Sequence, residues 1–526
     1  MPESPAAPGT SPGAAPAPGG ASVGGLQRAM AAGTLTAAEV TAFYLERIGR
    51  LNPALHAVIT VNPGAAGEAE ASDGLRALTG ARGPLEGIPV LVKDNIQAAG
   101  MPATAGSPAL LDARGRDAFI VSRLRQAGAV IIGKANLSEW ANFRSAHGTS
   151  GWSTLGGQTA NPFALERNPS GSSAGSAAGI AAGLAPLAVG TETDGSIVCP
   201  ASACGVVGIK PTLGLVSRSG IVPISPEQDT AGPMARSVAD AAALLTVLAA
   251  ADPEDPVSER AQGDTERGRG EVDYSAFLDA GALRGARVGV WRAGSAAAGP
   301  ATAAVLDSAV ARLRELGATV IDPVELPDAE KIELPEFAAL LHEFKPALGA
   351  YLTALPGSPH RTLADVIAFN QRNSGLVLAR FGQELFERAE ATPGDLTGRA
   401  YRALRADAAR LARMAMETPL VTHRLDAIVS LTAGPAWLTD YVLGDHDVFA
   451  TAGPAAVGGY PSISMPFGYV WGLPVGLSFM GPRWSEPRLI ALAHSFEQAP
   501  ASRPVSEAPP HVSTAPHPPL AESLSP

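Results

Sequence analysis

Residues 168–179 read NPSGSSAGSAAG. Small, polar and glycine-rich, this stretch suits either a flexible linker or the rigid wall of a site, and its flanks decide between them. Downstream, residues 173–183 are rich in Ala and Gly and read as a helix that packs closely on its neighbours. LAPLAVGTE then reads as a strand. Upstream, GIPVLVKDN (87–95) is a short apolar run ending in polar residues, as expected of a buried strand that opens into a loop. AFIVSRLRQAGAVIIGKAN (118–136) reads as helix, a break at Gly128, then strand. SVADAAALLTVLAA (237–250) is a further helix. Helix and strand therefore alternate on both sides of the quoted stretch. That pattern predicts an α/β fold built on one sheet, at least partly parallel.

Further outward, TAAEVTAFYLERIGRLNP starts with Thr36 and Glu39 in capping-box spacing. It carries Val40, Phe43, Tyr44 and Ile48 at helical intervals, with Asn52-Pro53 as the expected stop. Residues from about 252 to 424 are richer in charge and helix, as in ELPEFAALLHEFKPALGAYLTAL, and read as a variable helical region. LDAIVSLTAG, YPSISMPFGY and LPVGLSFMG are late strands expected to rejoin the sheet, before a final helix starting at Ser485. The expected organisation is a Pro/Ala/Gly tail over 1–20, one domain over 21–498, and a Pro-rich tail over 499–526. No internal repeat is visible.

The chain has 526 residues, 46% hydrophobic and 17% charged, with a formal net charge of −11. Such a balance suits a globular protein and does not suggest a nucleic-acid partner. Two cysteines, Cys199 and Cys204, are too few for a disulfide framework, and the nine histidines show neither HxH nor HExxH spacing, so no metal is implied. No apolar run reaches 18 residues, and the N-terminus lacks the basic and apolar regions of a signal peptide. A cytoplasmic protein without membrane contact is the expectation.

Three motifs invite over-reading. GSSAG (171–175) matches G-x-S-x-G with Ser173 in the nucleophile position, but LERNPS before it is polar and broken by proline, where that elbow needs a strand. GAVIIGKA (128–135) has the spacing of a phosphate loop, yet Val130-Ile131-Ile132 is a strand and Ala135 replaces the required hydroxyl. Lys134 then reads as structural. Cys199 and Cys204 lack redox spacing and read as two buried small residues.

A different set of residues fits together. Only five of the 39 basic residues are lysines: Lys93, Lys134, Lys210, Lys331 and Lys345. Lysine can lose its proton when buried, whereas arginine cannot. Lys93 follows the apolar run Ile88–Val92. It is either a buried base or a strand-end lysine reaching solvent. GTETDGSIVCP (190–200) ends a strand at Val189-Gly190 and enters a tight turn. Successive N–H groups of such a turn can converge on an anion, with Ser196 beside them; an ordinary Asp-Gly turn is the other reading.

At these residues the chain resembles the amidase signature family. The likeness is carried by GIPVLVKDN, by GSSAGSAAGIAAGLAPLAVGTETDGSI and by GVVGIKPTLGLVSRSGIVPISPEQDTAGPMARSVADA. It spans roughly residues 24–498 and includes YPSISMPFGYVWGLPVGLSFMG. NLSEWANFRS, GWSTLGGQTANPF and SIVCPAS look most like its bacterial peptide amidase branch. The resemblance implies an α/β fold with a large mixed, mostly parallel sheet flanked by helices. It implies a Ser-cisSer-Lys triad with Ser196 as nucleophile, Ser172 as the middle serine behind a cis Gly171–Ser172 bond, and Lys93 as base. It implies an oxyanion hole from the N–H groups of Thr193, Asp194, Gly195 and Ser196. It also implies an acyl-enzyme, no cofactor, no obligate partner, and hydrolysis of C-terminal amides of peptides with release of ammonia. Ser173 and Asp229 are expected to be structural hydrogen-bonding residues. Phe143, His147 and Trp152 could line a substrate pocket or simply pack. Two departures stand out: Val198 where many members carry Arg, and Ser170 where a second Gly is common. A general aliphatic or aryl amidase, a glutaminase component of the glutamyl-tRNA amidotransferase A type, and a catalytically silent scaffold are the competing readings.

Overall fold

A computed structural model describes residues 18–258, 272–292, 294–295 and 297–499. The expected tails therefore lie almost wholly outside the described residues. At the near edge of the first, Pro18–Gly20 forms a 3-10 turn whose Pro18 carbonyl accepts the Tyr44 hydroxyl at 2.9 Å.

Thirteen strands are present among the described residues. They are β1 (Val58–Val61), β2 (Pro89–Lys93), β3 (Val130–Ala135), β4 (Trp152–Ser153), β5 (Gly157–Gln158), β6 (Leu187–Glu192), β7 (Val207–Lys210), β8 (Thr230–Ala235), β9 (Arg287–Val290), β10 (Thr319–Ile321), β11 (Ala427–Leu431), β12 (Ser462–Val470) and β13 (Leu473–Met480). Eleven form one sheet in the order β1-β3-β2-β6-β8-β7-β12-β13-β11-β9-β10, and β4 and β5 make a separate two-residue ladder. The sheet is mixed. Parallel pairing occupies two blocks, β3-β2-β6 and β11-β9-β10. A helix precedes the second strand in several of these crossovers, as Phe119–Gln126 does for β3, Ala174–Ala181 for β6 and Pro300–Glu315 for β10. The expected parallel character holds inside those blocks. The six other pairings, which cover the middle of the sheet and β1, are antiparallel.

The elements follow their residues closely. β2, β3 and β6 are buried along their whole length, because helices cover both faces of a parallel block and every side chain meets apolar neighbours. The capping box of Thr36 and Glu39 is formed and opens the Ala37–Leu55 helix. That helix does not stop at Asn52-Pro53 as expected: it runs to Leu55 with Pro53 in its last turn and ends at His56 in the left-handed region. Proline near the end of a helix removes one intrahelical bond only. Asn52 stays helical while its side chain pairs with both backbone groups of Val58, at 2.8 Å each. β12 and β13 form a hairpin whose two turn residues, Trp471 and Gly472, both have positive φ, as the right-handed twist of the strands requires.

The late strands rejoin the sheet as expected. Residues 252–424 are less purely helical than expected, since β9 and β10 come from within them and form one sheet edge. The helices Glu333–Ala354 and Arg399–Thr422 also belong to this region. Phe344, Phe386, Leu348 and Trp140 build a second apolar cluster beside the main core. No helix among the described residues is long and apolar enough to cross a membrane.

Candidate active site

The site sits at the C-terminal ends of the adjacent parallel strands β2 and β6, where an open α/β sheet leaves room for ligands. Lys93 is the last residue of β2 and is fully buried. Its Nζ lies 2.7 Å from Ser172 Oγ, 2.9 Å from Thr191 Oγ1 and 3.1 Å from the Thr191 carbonyl. Burial removes water from the ammonium and pulls its pKa down from 10.5 to about 7, against the opposing attraction of Glu192 and Asp229. The Lys93 amine can therefore lose its proton near neutral pH while hydrogen-bonded to a serine hydroxyl.

Ser172 follows the cis Gly171–Ser172 bond. The stretch around it is a wall, as its flanks imply. Asn168 donates to the Ser150 carbonyl at 2.9 Å, and its side-chain oxygen accepts the N–H of Ser170 at 2.8 Å. At Gly171 a Cβ would fall 2.3 Å from Ser138 Oγ, and at Gly175 it would fall 2.3 Å from the Ala57 carbonyl. Glycine here permits backbone and side chains to close in, and flexibility is not its use. The Ser173 hydroxyl is engaged with β6: it donates to the Thr191 carbonyl at 3.0 Å, and the Thr191 N–H donates back at 3.2 Å.

β6 ends at Glu192, before the turn Thr193–Ser196. The Ser173 N–H donates to the Ser196 carbonyl at 3.1 Å, which ties the two serine-bearing segments together. Ser196 itself is half-buried and Gly195 has φ +75°. Glu192, buried behind the turn, accepts the N–H groups of Ile197 at 2.7 Å and Val198 at 3.1 Å and draws that of Gly195. Burial raises the Glu192 pKa, while Lys210 and these N–H groups oppose it. Asp229 accepts from the Thr193 hydroxyl at 2.6 Å and from the Ile224 and Ser225 N–H groups, which makes it a bracket for the turn, as expected.

Two cavities flank this assembly. The larger encloses about 720 Å³, and Gly171 and Gly195, chain neighbours of Ser172 and Ser196, line it. The smaller, about 250 Å³, reaches Thr191, Thr193 and Asn95 from the other side.

The three candidate pocket residues are placed elsewhere, which corrects that expectation. Phe143 is buried against Phe344 and Phe337, with ring centroids 4.9 and 6.4 Å away, because the Glu333–Ala354 helix offers it an apolar surface. Trp152 is buried edge-on to Phe381 at 4.9 Å and beneath the Arg144 guanidinium at 5.5 Å. His147 is exposed and lines neither cavity. Their loop does reach the larger cavity, through Asn142 and Ser150. Lys134 is structural, 3.2 Å from Asp94 within the core. Cys199 and Cys204 are both buried and free.

Two residues escaped the sequence reading. Thr191 holds the amine of Lys93, and Asn95 steadies Thr191 by donating to its hydroxyl at 2.9 Å. Strand alternation could show that Thr191 and Lys93 end neighbouring strands, but not that their side chains meet.

The chain belongs to the amidase family, whose family model matches residues 39–490. The fold is that of the amidase signature enzymes, and the protein is an amidohydrolase. It is similar to the native peptide amidase of Stenotrophomonas maltophilia, with 49% identity and a TM-score of 0.86 over 91% of this chain and 96% of that one. A probable amidase of Arabidopsis thaliana is 42% identical over 88% of this chain and 87% of its own length. A glutamyl-tRNA(Gln) amidotransferase subunit of Symbiobacterium thermophilum is 35% identical over 90% and 95% respectively.

Proposed function

We propose that the protein hydrolyses C-terminal carboxamides of peptides through a Ser196–Ser172–Lys93 relay. The observation that carries this reading is the buried Lys93 amine, neutral near pH 7, held 2.7 Å from Ser172 Oγ. Neutral Lys93 takes the Ser172 proton as Ser172 takes that of Ser196, and the Ser196 oxygen attacks the amide carbon. Thr193, Asp194 and Ser196 make no hydrogen bond through their N–H groups among the described residues, which leaves these three for the oxyanion. Gly195 was expected to join them, but its N–H leans toward Glu192. The C–N bond then breaks, the proton returns through Ser172 to the leaving nitrogen, and ammonia departs. Water attacks the acyl ester by the same relay, releasing the acid and Ser196. This chemistry needs no metal, organic cofactor or second subunit.

Similarity to a peptide amidase supports the peptide substrate, as does a cavity of about 720 Å³, well above the space a simple aliphatic amide fills. A glutaminase component is the second reading, favoured by the amidotransferase relative. Against it, Val198 is buried with Cys199, Ala433 and Ala452 in an apolar cluster and offers no charge to a glutamine substrate. Ammonia release from an amidated dipeptide, glutamine and a simple aliphatic amide, with Ser196→Ala as control, separates the readings. Release from the dipeptide amide that disappears in the variant is expected. Full activity of Ser196→Ala would refute the relay, and release from glutamine alone would favour the second reading.

A further inference from the structure

The larger cavity is lined by seven carboxylates and by no lysine or arginine. Asp194 belongs to the turn. Glu325, Glu330, Glu333 and Glu336 come from the segment that leads into, and begins, the Glu333–Ala354 helix. Asp445 and Asp447 come from the loop between β11 and the short helix Gly453–Gly458. None of the seven forms an ion pair among the described residues. Asp194, Glu325, Glu330, Glu333 and Asp447 also accept no hydrogen bond and are exposed. Carboxylates elsewhere in the molecule are commonly paired, as Glu86 is with Arg82 and Asp322 with Arg292. No cation on the cavity wall compensates this acidity.

Its electrostatic state points the same way. Asp194 opens onto the cavity, yet the protein packed around it displaces bulk water. That desolvation, with the carboxylates of Glu336 and Glu192, holds its pKa well above the ordinary value, and burial raises that of Glu336 to about 7. Like charges crowd here until some groups resist ionisation. The cations that oppose these groups, Lys210 at Asp194 and Arg405 at Glu336, do not line the cavity: Lys210 is buried and donates to the Pro211 carbonyl, and Arg405 is paired with Glu343. The walls also present Trp291, Trp437 and Phe449, whose ring faces attract cations.

We propose that this cavity selects peptide carboxamides carrying positive charge, a free N-terminal ammonium or a basic side chain, and excludes acidic peptides and the free-acid product. The inference rests on the peptide amide reading above. The substrate's reacting end is neutral before hydrolysis and a carboxylate afterwards. The exposed, unpartnered carboxylates of Glu325, Glu330, Glu333 and Asp447 attract the rest of a cationic substrate and repel the newly formed acid, so binding and product release are served by one field.

The test is a ladder of dipeptide amides of similar size. Lysyl-leucinamide, norleucyl-leucinamide, N-acetyl-norleucyl-leucinamide and N-acetyl-glutamyl-leucinamide run from doubly positive to singly negative. The expected result is a fall in kcat/KM of about tenfold or more from the first to the third, and further to the fourth, compressed by high salt. Glu333→Gln with Asp447→Asn, two exposed positions without hydrogen bonds, should shrink the ratio between cationic and neutral substrates. Equal kcat/KM across the ladder, or a ratio untouched by the double substitution, overturns the charge proposal and leaves the peptide amidase reading standing. No hydrolysis of any member, with simple amides still turned over, overturns that reading and this inference with it.

Discussion

At the residue scale the decisive choice is lysine at position 93. Its side chain is sealed at the end of β2, and of the two strongly basic side chains only lysine can be neutral there near pH 7. Lys93→Arg keeps positive charge and loses the base, so kcat/KM should drop by about 10²–10⁴-fold with the circular dichroism spectrum retained. The pH dependence has a definite sign. Below about pH 7 the lysine is protonated and cannot accept from Ser172, so kcat/KM should rise with pH to a limb near 7 and level above it. Stability follows the same group. Its folded pKa lies below the unfolded 10.5, so between about pH 7 and 10.5 the unfolded chain holds more protons at this site. Relative to Lys93→Met, the wild type should therefore gain stability as pH rises through that window, by up to about 1.4 kcal/mol per pH unit. A flat difference in urea denaturation across the window would count against a depressed Lys93 pKa.

At the element scale the Ala174–Ala181 helix shows how a glycine-rich stretch becomes rigid. Gly175 donates to the Asn136 carbonyl at 2.9 Å, and a Cβ there would meet the backbone of Ala57 and Asn136 at 2.3–2.5 Å. Backbone cannot swing aside as a side chain can. Gly175→Ala should cost about 3 kcal/mol or more, or prevent folding, although alanine is the better helix former. Gly179→Ala, on the same helix, meets only a Leu91 methyl at 3.1 Å and should cost clearly less. Thermal melts of the two variants make the comparison. A larger loss at Gly179 would refute the close-approach account.

At the scale of the whole molecule the helical region is fastened to the site by a buried polar junction. Glu343 is fully buried and accepts both arms of the Arg405 guanidinium at 2.8 Å, the Tyr401 hydroxyl at 2.8 Å and the hydroxyl of Ser225. Arg405 also donates to Gln228 at 2.6 Å. Gln228 in turn donates to Glu336 at 2.7 Å and to the Thr193 carbonyl at 3.2 Å. One chain of contacts thus runs from two helices of residues 252–424 to the turn that bears Ser196. Removing a single partner strands a buried charge, so Glu343→Ala should destabilise by about 3–5 kcal/mol. Because the turn hangs on the same network, kcat should fall in the surviving folded protein. Unchanged stability and kcat would mean that the junction is dispensable.

Much of this molecule was determined locally. The apolar run before Lys93, the capping box at Thr36 and Glu39, the helix-Gly128-strand passage and the late strands all act through neighbours in sequence, so periodicity and turn chemistry reveal them. The residues proposed here for the triad were picked out through resemblance, because their motifs are contiguous. Tertiary structure alone decided what lies across space. It set the antiparallel middle of the sheet and the helix that runs past Pro53, where tertiary hydrogen bonds outweigh a local breaker. It paired Thr191 with Lys93, and it turned Phe143 and Trp152 into packed aromatics instead of pocket walls. Whether a side chain faces a cavity or a core depends on what another segment brings to it. Here those segments, residues 337–344 and 381, lie some two hundred residues away in the chain, and the carboxylates of 325–336 that face the cavity beside residues 171 and 195 are likewise remote in sequence.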